Sequence, residues 1–70
     1  MTNEELKEAF FDDADVVYKS KDEYEVVGKI QHILYGKDEH KRLIVSAEIV
    51  PYNGNSITIA RVKDVERRRI

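Results

Sequence analysis

Apolar residues alternate with polar ones at Leu43, Val45, Ala47 and Ile49, and the pattern resumes at Ile57 and Ile59 after Asn53-Gly54-Asn55. Period-two alternation on both sides of an Asn-Gly signal predicts a β-hairpin. Its register depends on the length of the loop. A two-residue Asn53-Gly54 loop sets Glu48 opposite Ile59 and Val50 opposite Ile57, which mixes a carboxylate with the isoleucines on one face. A three-residue Asn53-Gly54-Asn55 loop sets Ile49 opposite Ile59 and Pro51 opposite Ile57, so that every alternating apolar residue shares a face. Register follows the buried face, and the pattern therefore predicts the three-residue loop, with a positive-φ residue and a G1-type bulge.

Upstream, Thr2-Asn3-Glu4-Glu5 has the form of a capping box. Leu6, Ala9 and Phe10 follow at helical spacing, which predicts a short amphipathic helix over residues 3–11. Asp12-Asp13 opposes the helix dipole and ends it. Asp15 to Ser20 is β-branched and aromatic and predicts a strand over 15–20, on the edge of the sheet, before a polar turn at Lys21-Asp22-Glu23. A longer strand is predicted over 24–35. Its apolar or small residues fall on even numbers from Tyr24 to Ile30 and on odd numbers at Ile33 and Tyr35. One extra residue flips every later side chain, so the parity switch predicts a bulge or bend near Gln31-His32. A charged loop over 36–41 leads to a strand over 42–52, and the hairpin returns over 56–61. Val62 and Val65 re-enter the core through one helical turn, and residues 66–70 form an exposed tail containing Arg67-Arg68-Arg69.

These elements predict one domain over residues 1–70, mainly β. The fold expected is a small antiparallel, partly open barrel of four to five strands with the short N-terminal helix over one end. Its expected core is Leu6, Phe10, Val17, Tyr24, Val26, Ile30, Ile33, Leu43, Val45, Ala47, Ile49, Ile57, Ile59, Val62 and Val65. The element order is similar to that of SH3-like small barrels. SH3 domains carry an Ala-Leu-Tyr-Asp-Tyr type segment and a tryptophan for proline-rich ligands. Here Ala14-Asp15-Val16-Val17-Tyr18 departs from that segment and tryptophan is absent, so the resemblance implies no proline-rich ligand. Ser46-Ala47-Glu48-Ile49 together with residues 55–65 (NSITIARVKDV) resembles short uncharacterised proteins of Gram-positive bacteria and their mobile elements. That resemblance covers about the C-terminal half and implies no biochemical activity.

Length and composition narrow the reading further. A chain of 70 residues buries only roughly 60% of the surface its unfolded form exposes. There is no cysteine to staple it, so stability must come from packing, hairpin geometry or association. No apolar run approaches the ~20 residues of a membrane span, and none follows Met1 as a signal peptide does, which predicts a cytoplasmic protein without membrane contact. The net charge of −2 hides an asymmetry: residues 1–25 carry nine acids and three lysines (−6), and residues 26–70 carry nine bases and five acids (+4). Halves of opposite sign either neutralise each other within one fold or mark an interaction surface.

Little in the sequence carries chemistry. The only histidines are His32, at the expected bulge, and His40, beside Asp38 and Glu39 in a polar loop. Contiguous loop residues rarely converge on one ion, so neither predicts a metal site. Ser20, Ser46 and Ser56 lie in no nucleophile or phosphate-loop motif. The expectation is a non-enzymatic module with no cofactor and no small-molecule substrate. It is expected to act through protein–protein contacts, with an unknown partner or a second copy of itself. One self-association model lays the acid-rich helix (Glu4, Glu5, Glu8) of one copy along the basic tail of another, with Phe11 as an apolar anchor. The alternative is weak nucleic-acid binding through Arg42, Arg61, Lys63, Arg67, Arg68 and Arg69, with Tyr35 and Tyr52 as stacking residues. An isoelectric point near 5.6 weighs against that alternative, because nucleic-acid-binding domains are usually basic. Either way, the candidate binding residues are those eight.

Overall fold

The computed structural model describes residues 1–19, 25–52, 54 and 56–68. Helix α1 spans Asn3–Phe11, and strands β1 (Asp15–Lys19), β2 (Glu25–Lys37), β3 (Leu43–Pro51) and β4 (Thr58–Arg61) follow it. A 3-10 turn at Val62–Asp64 leads into a last short strand, β5 (Val65–Arg67). The pairings are all antiparallel and the strand order is β4-β3-β2-β1-β5. Among the described residues no pairing joins β4 to β5, so the sheet is not closed into a barrel, and the fold is mainly β, with one helix against the sheet.

The capping box forms as the sequence predicts. The Glu5 amide donates to Thr2 Oγ1 at 3.1 Å, and the Thr2 amide donates to Glu5 Oε1 at 2.9 Å. At the other end Asp13 takes a positive φ of 53°, and the Ala14 amide returns to the Ala9 carbonyl at 3.0 Å. Such a left-handed residue satisfies the last helical carbonyls and turns the chain sharply. The turn aims Leu6 and Ala9, both buried, at the concave face of the sheet, with Phe10 packed partly against them and Phe11 80% exposed.

Strand β2 carries the bulge. Gly28, Lys29 and Ile30 pair with Pro51, Val50 and Ile49; the register then shifts, and His32 pairs with Glu48 and Ile33 with Ala47. Gln31 is the extra residue, so Ile30 and Ile33 both face the core despite their opposite parity. The concave face then holds Val16, Ile30, Val45, Ala47, Ile49, Ala60 and Val65, closed over by Leu6 and Ala9.

Several expectations are corrected. The β3–β4 register is Glu48 opposite Ile59, Ala47 opposite Ala60 and Ile49 opposite Thr58, which is the register of the shorter loop. Ala60 therefore faces the core, while Ile57 and Ile59 are 52% and 62% exposed. Val62, partly buried, and Val65, fully buried, take part in the core as expected. Leu43 lies beyond the reach of the helix and is exposed. In β1 it is Val16, not Val17, that is fully buried. That strand is not an edge, because β5 pairs with it and sets Val17 opposite Glu66. Residues 65–67, of which 66 and 67 were expected in the tail, are thus part of the sheet. The predicted turn at Lys21-Asp22-Glu23, the core position Tyr24, the loop residues Asn53 and Asn55, and Arg69 lie outside the described residues.

Candidate interaction surface

Of the eight residues singled out in the sequence, the seven that are described do not converge on one track. Arg42 ends the β2–β3 connection, where its amide and that of His40 donate to Asp38 Oδ1 at 2.9 and 2.8 Å. Tyr35, exposed, is near that same tip, opposite Val45. Tyr52 follows the opposite end of β3. Ten residues separate Arg42 from Tyr52, about 30 Å along an extended strand. Arg61 ends β4 and Lys63 lies in the 3-10 turn, both exposed. Arg67 is drawn back to the helix end, with Nη1 3.3 Å from Asp12 Oδ2. Arg68 is exposed just after β5, and its amide donates to the Asp15 carbonyl at 2.9 Å.

Tyr52 has a structural partner. Its hydroxyl donates to Asp15 Oδ1, beside a second pair in which Lys29 Nζ donates to the Asp13 carbonyl at 2.9 Å and to Asp13 Oδ2 at 3.0 Å. The hydrogen bond to the Asp15 carboxylate, helped by desolvation, raises the Tyr52 pKa above its ordinary value. The hydrogen bond to Asp13 raises that of Lys29. These groups clip β1, the start of β2 and the end of β3 together on the convex face.

A second surface emerges around β4. Residues opposite one another in an antiparallel pair share a face, so Ile59 stands on the convex face beside Glu48, with His32 next in the same row. His32 Nδ1 lies 3.1 Å from Glu48 Oε1. The neighbouring row holds Leu34, Ser46 and Arg61. Carried one residue past Thr58, the register brings Ile57 to the position beside Val50. Ile57, Ile59 and Val50, all exposed, thus gather along a strand that, among the described residues, has a neighbour on one side only. The sequence signal for this surface was the apolar pair Ile57 and Ile59 itself, which alternation assigned to the core. Among the described residues no three His, Asp or Glu side chains form a group that could hold a metal ion, and no helix is long and apolar enough to cross a membrane. The chain matches no protein-family model, no curated protein and no solved structure.

Proposed function

We propose that this chain is a non-catalytic module that acts through protein–protein contacts made at β4 and the convex face beside it. The observation that carries the reading is the exposure of Ile57, Ile59 and Val50 around an unpaired strand edge. An exposed edge strand is a template for another strand, and apolar side chains beside it supply the affinity that backbone pairing alone lacks. Fully burying an exposed isoleucine is worth about 1.5–3 kcal/mol; Ile57 and Ile59 are about half exposed, so covering them adds part of that range to the strand pairing.

A photo-cross-linkable residue at position 59, compared with one at the exposed helix position 7, tests this in the cells that make the protein. Adducts are expected from position 59 well above those from position 7; equal yields overturn the reading. The nucleic-acid alternative is read by fluorescence anisotropy with labelled oligonucleotides at low salt. Salt-sensitive binding that weakens when Arg61 and Lys63 are replaced by alanine would put that alternative in place of the protein-contact reading.

A further inference from the structure

We infer that the partner at β4 is a second copy of this chain, joined β4 to β4 about a two-fold axis so that two five-stranded sheets continue into one. The inference rests on the interaction reading above and adds the identity of the partner. It starts from the difference between the two edges of the sheet. Strand β5 is only three residues long, and its backbone is largely engaged. The Val65 amide goes to the Val62 carbonyl, and the Val65 carbonyl accepts from the Met1 nitrogen at 3.2 Å. Glu66 pairs with Val17, and the Arg68 amide bonds Asp15. By alternation Val65 and Arg67 turn their backbone outward, and with the groups of Val65 taken, Arg67 alone in β5 is left to pair.

Strand β4 is short as well, at four residues, but among the described residues no strand or terminus covers its outer side. Thr58-Ile59-Ala60-Arg61 contains no proline, no inward-pointing charge and no bulge, three of the devices that blunt an edge. A molecule with one usable edge pairs once and stops, whereas two usable edges would build an open chain. The geometry therefore points to a closed dimer.

Side-chain chemistry selects the register. Opposite residues share a face, so within β4 Ile59 can meet either Ile59 or Arg61 of the second copy. Centring the axis on Ala60 sets Ile59 opposite the second copy's Arg61. The convex row then reads His32, Glu48, Ile59 and Arg61 of the other chain. Two strand spacings, about 10 Å, separate Glu48 from that arginine. The summed length of the two side chains spans this, with the arginine stem lying over Ile59. Among the described residues Arg61 has no ion-pair partner within its own chain, and Glu48 has only His32. The two-fold axis makes this contact twice. On the concave face the axis brings Ala60 to Ala60.

Sedimentation equilibrium of the full chain up to about 1 mM, with concentration-dependent amide shifts, tests the inference. A dimer is expected, with shifts centred on residues 58–61 and their row neighbours His32 and Glu48, and absent from 65–67. Ile59→Lys, at a solvated position that leaves the fold intact by circular dichroism, should be monomeric. Glu48→Arg or Arg61→Glu alone should weaken association about tenfold, or ~1.4 kcal/mol, and the double exchange Glu48→Arg/Arg61→Glu should restore it. A monomer at about 1 mM, growth beyond two copies, shifts centred on the helix or the β2–β3 tip, or failure of the double exchange to rescue overturns the inference. A monomer that still gives position-59 adducts of another mass removes the second copy while leaving the interaction reading in place. Equal cross-linking at positions 59 and 7 removes that reading itself.

Discussion

Gly28 is the point of closest approach between β2 and β3. A Cβ there would collide with the Val50 carbonyl oxygen and lie 2.7 Å from its carbon and 2.9 Å from the Pro51 Cα. These are backbone atoms, which cannot turn aside as a side-chain tip can. Gly28→Ala should therefore destabilise the fold by roughly 1–3 kcal/mol, the usual range for overpacking, read as a lower urea midpoint at unchanged slope. Tyr52 acts through its proton. Its pKa is raised in the folded chain, so the fold holds that proton more tightly than the unfolded chain does. The resulting stabilisation is complete below the ordinary tyrosine value of about 10 and is lost as pH climbs through the folded value. Lys29, also raised, adds a loss of the same sign above about pH 10.4. The difference in melting temperature between wild type and Tyr52→Phe should be constant from neutral pH to about pH 9 and should shrink above it. A difference that stays flat to pH 11 would show that the Asp15 contact does not contribute in solution.

The elements differ in how far they were legible, and the difference follows the range of the signal. Helix α1 and the bulge in β2 are written locally: Thr2 and Glu5 are three residues apart, and the parity switch lies within one strand. In the β3–β4 register Ala60, rather than an isoleucine, stands opposite Ala47 on the core face, and alternation, which ranks isoleucine above alanine as a core residue, points to the other face. Glu66 and Arg67 of β5 were read as tail because their partner β1 lies about fifty residues away in sequence. The candidate surface at β4 was hidden by this misassigned face, because its isoleucines were counted as core. The two registers make opposite predictions for a matched pair of variants. Ile49→Ala, at a fully buried site, should cost roughly 2–5 kcal/mol. Ile59→Ala should stay within about 0.5 kcal/mol, as at a surface position. Equal losses in chemical denaturation would restore the longer loop and bury Ile59.

At the scale of the whole molecule, the acidic and basic halves meet inside one chain. Asp12 pairs with Arg67 and Asp13 with Lys29, which gives some of the opposed charges partners without a second molecule. Both pairs are exposed, so each is worth little and is screened by salt. The helix-to-tail model of self-association loses some of its charge to the Asp12–Arg67 pair, and Phe11 already packs edge-on against Phe10, with ring centroids 5.4 Å apart. The bond from the Met1 nitrogen to the Val65 carbonyl joins positions 64 residues apart, whereas β2 and β3 meet across residues 38–42 alone. Loop closure over the longer span costs roughly 2 kcal/mol more in chain entropy. The β2–β3 hairpin should accordingly assemble early, and the clasp of N-terminus and β5 should close last. The segment that joins last is also the one that opens most readily in the native state. Hydrogen exchange should then find the Arg68 amide, bonded to Asp15, exchanging ahead of the paired amides of β2 and β3. That order makes the clasp a reversible cover on the β5 edge, one that opens while the rest of the sheet stays folded.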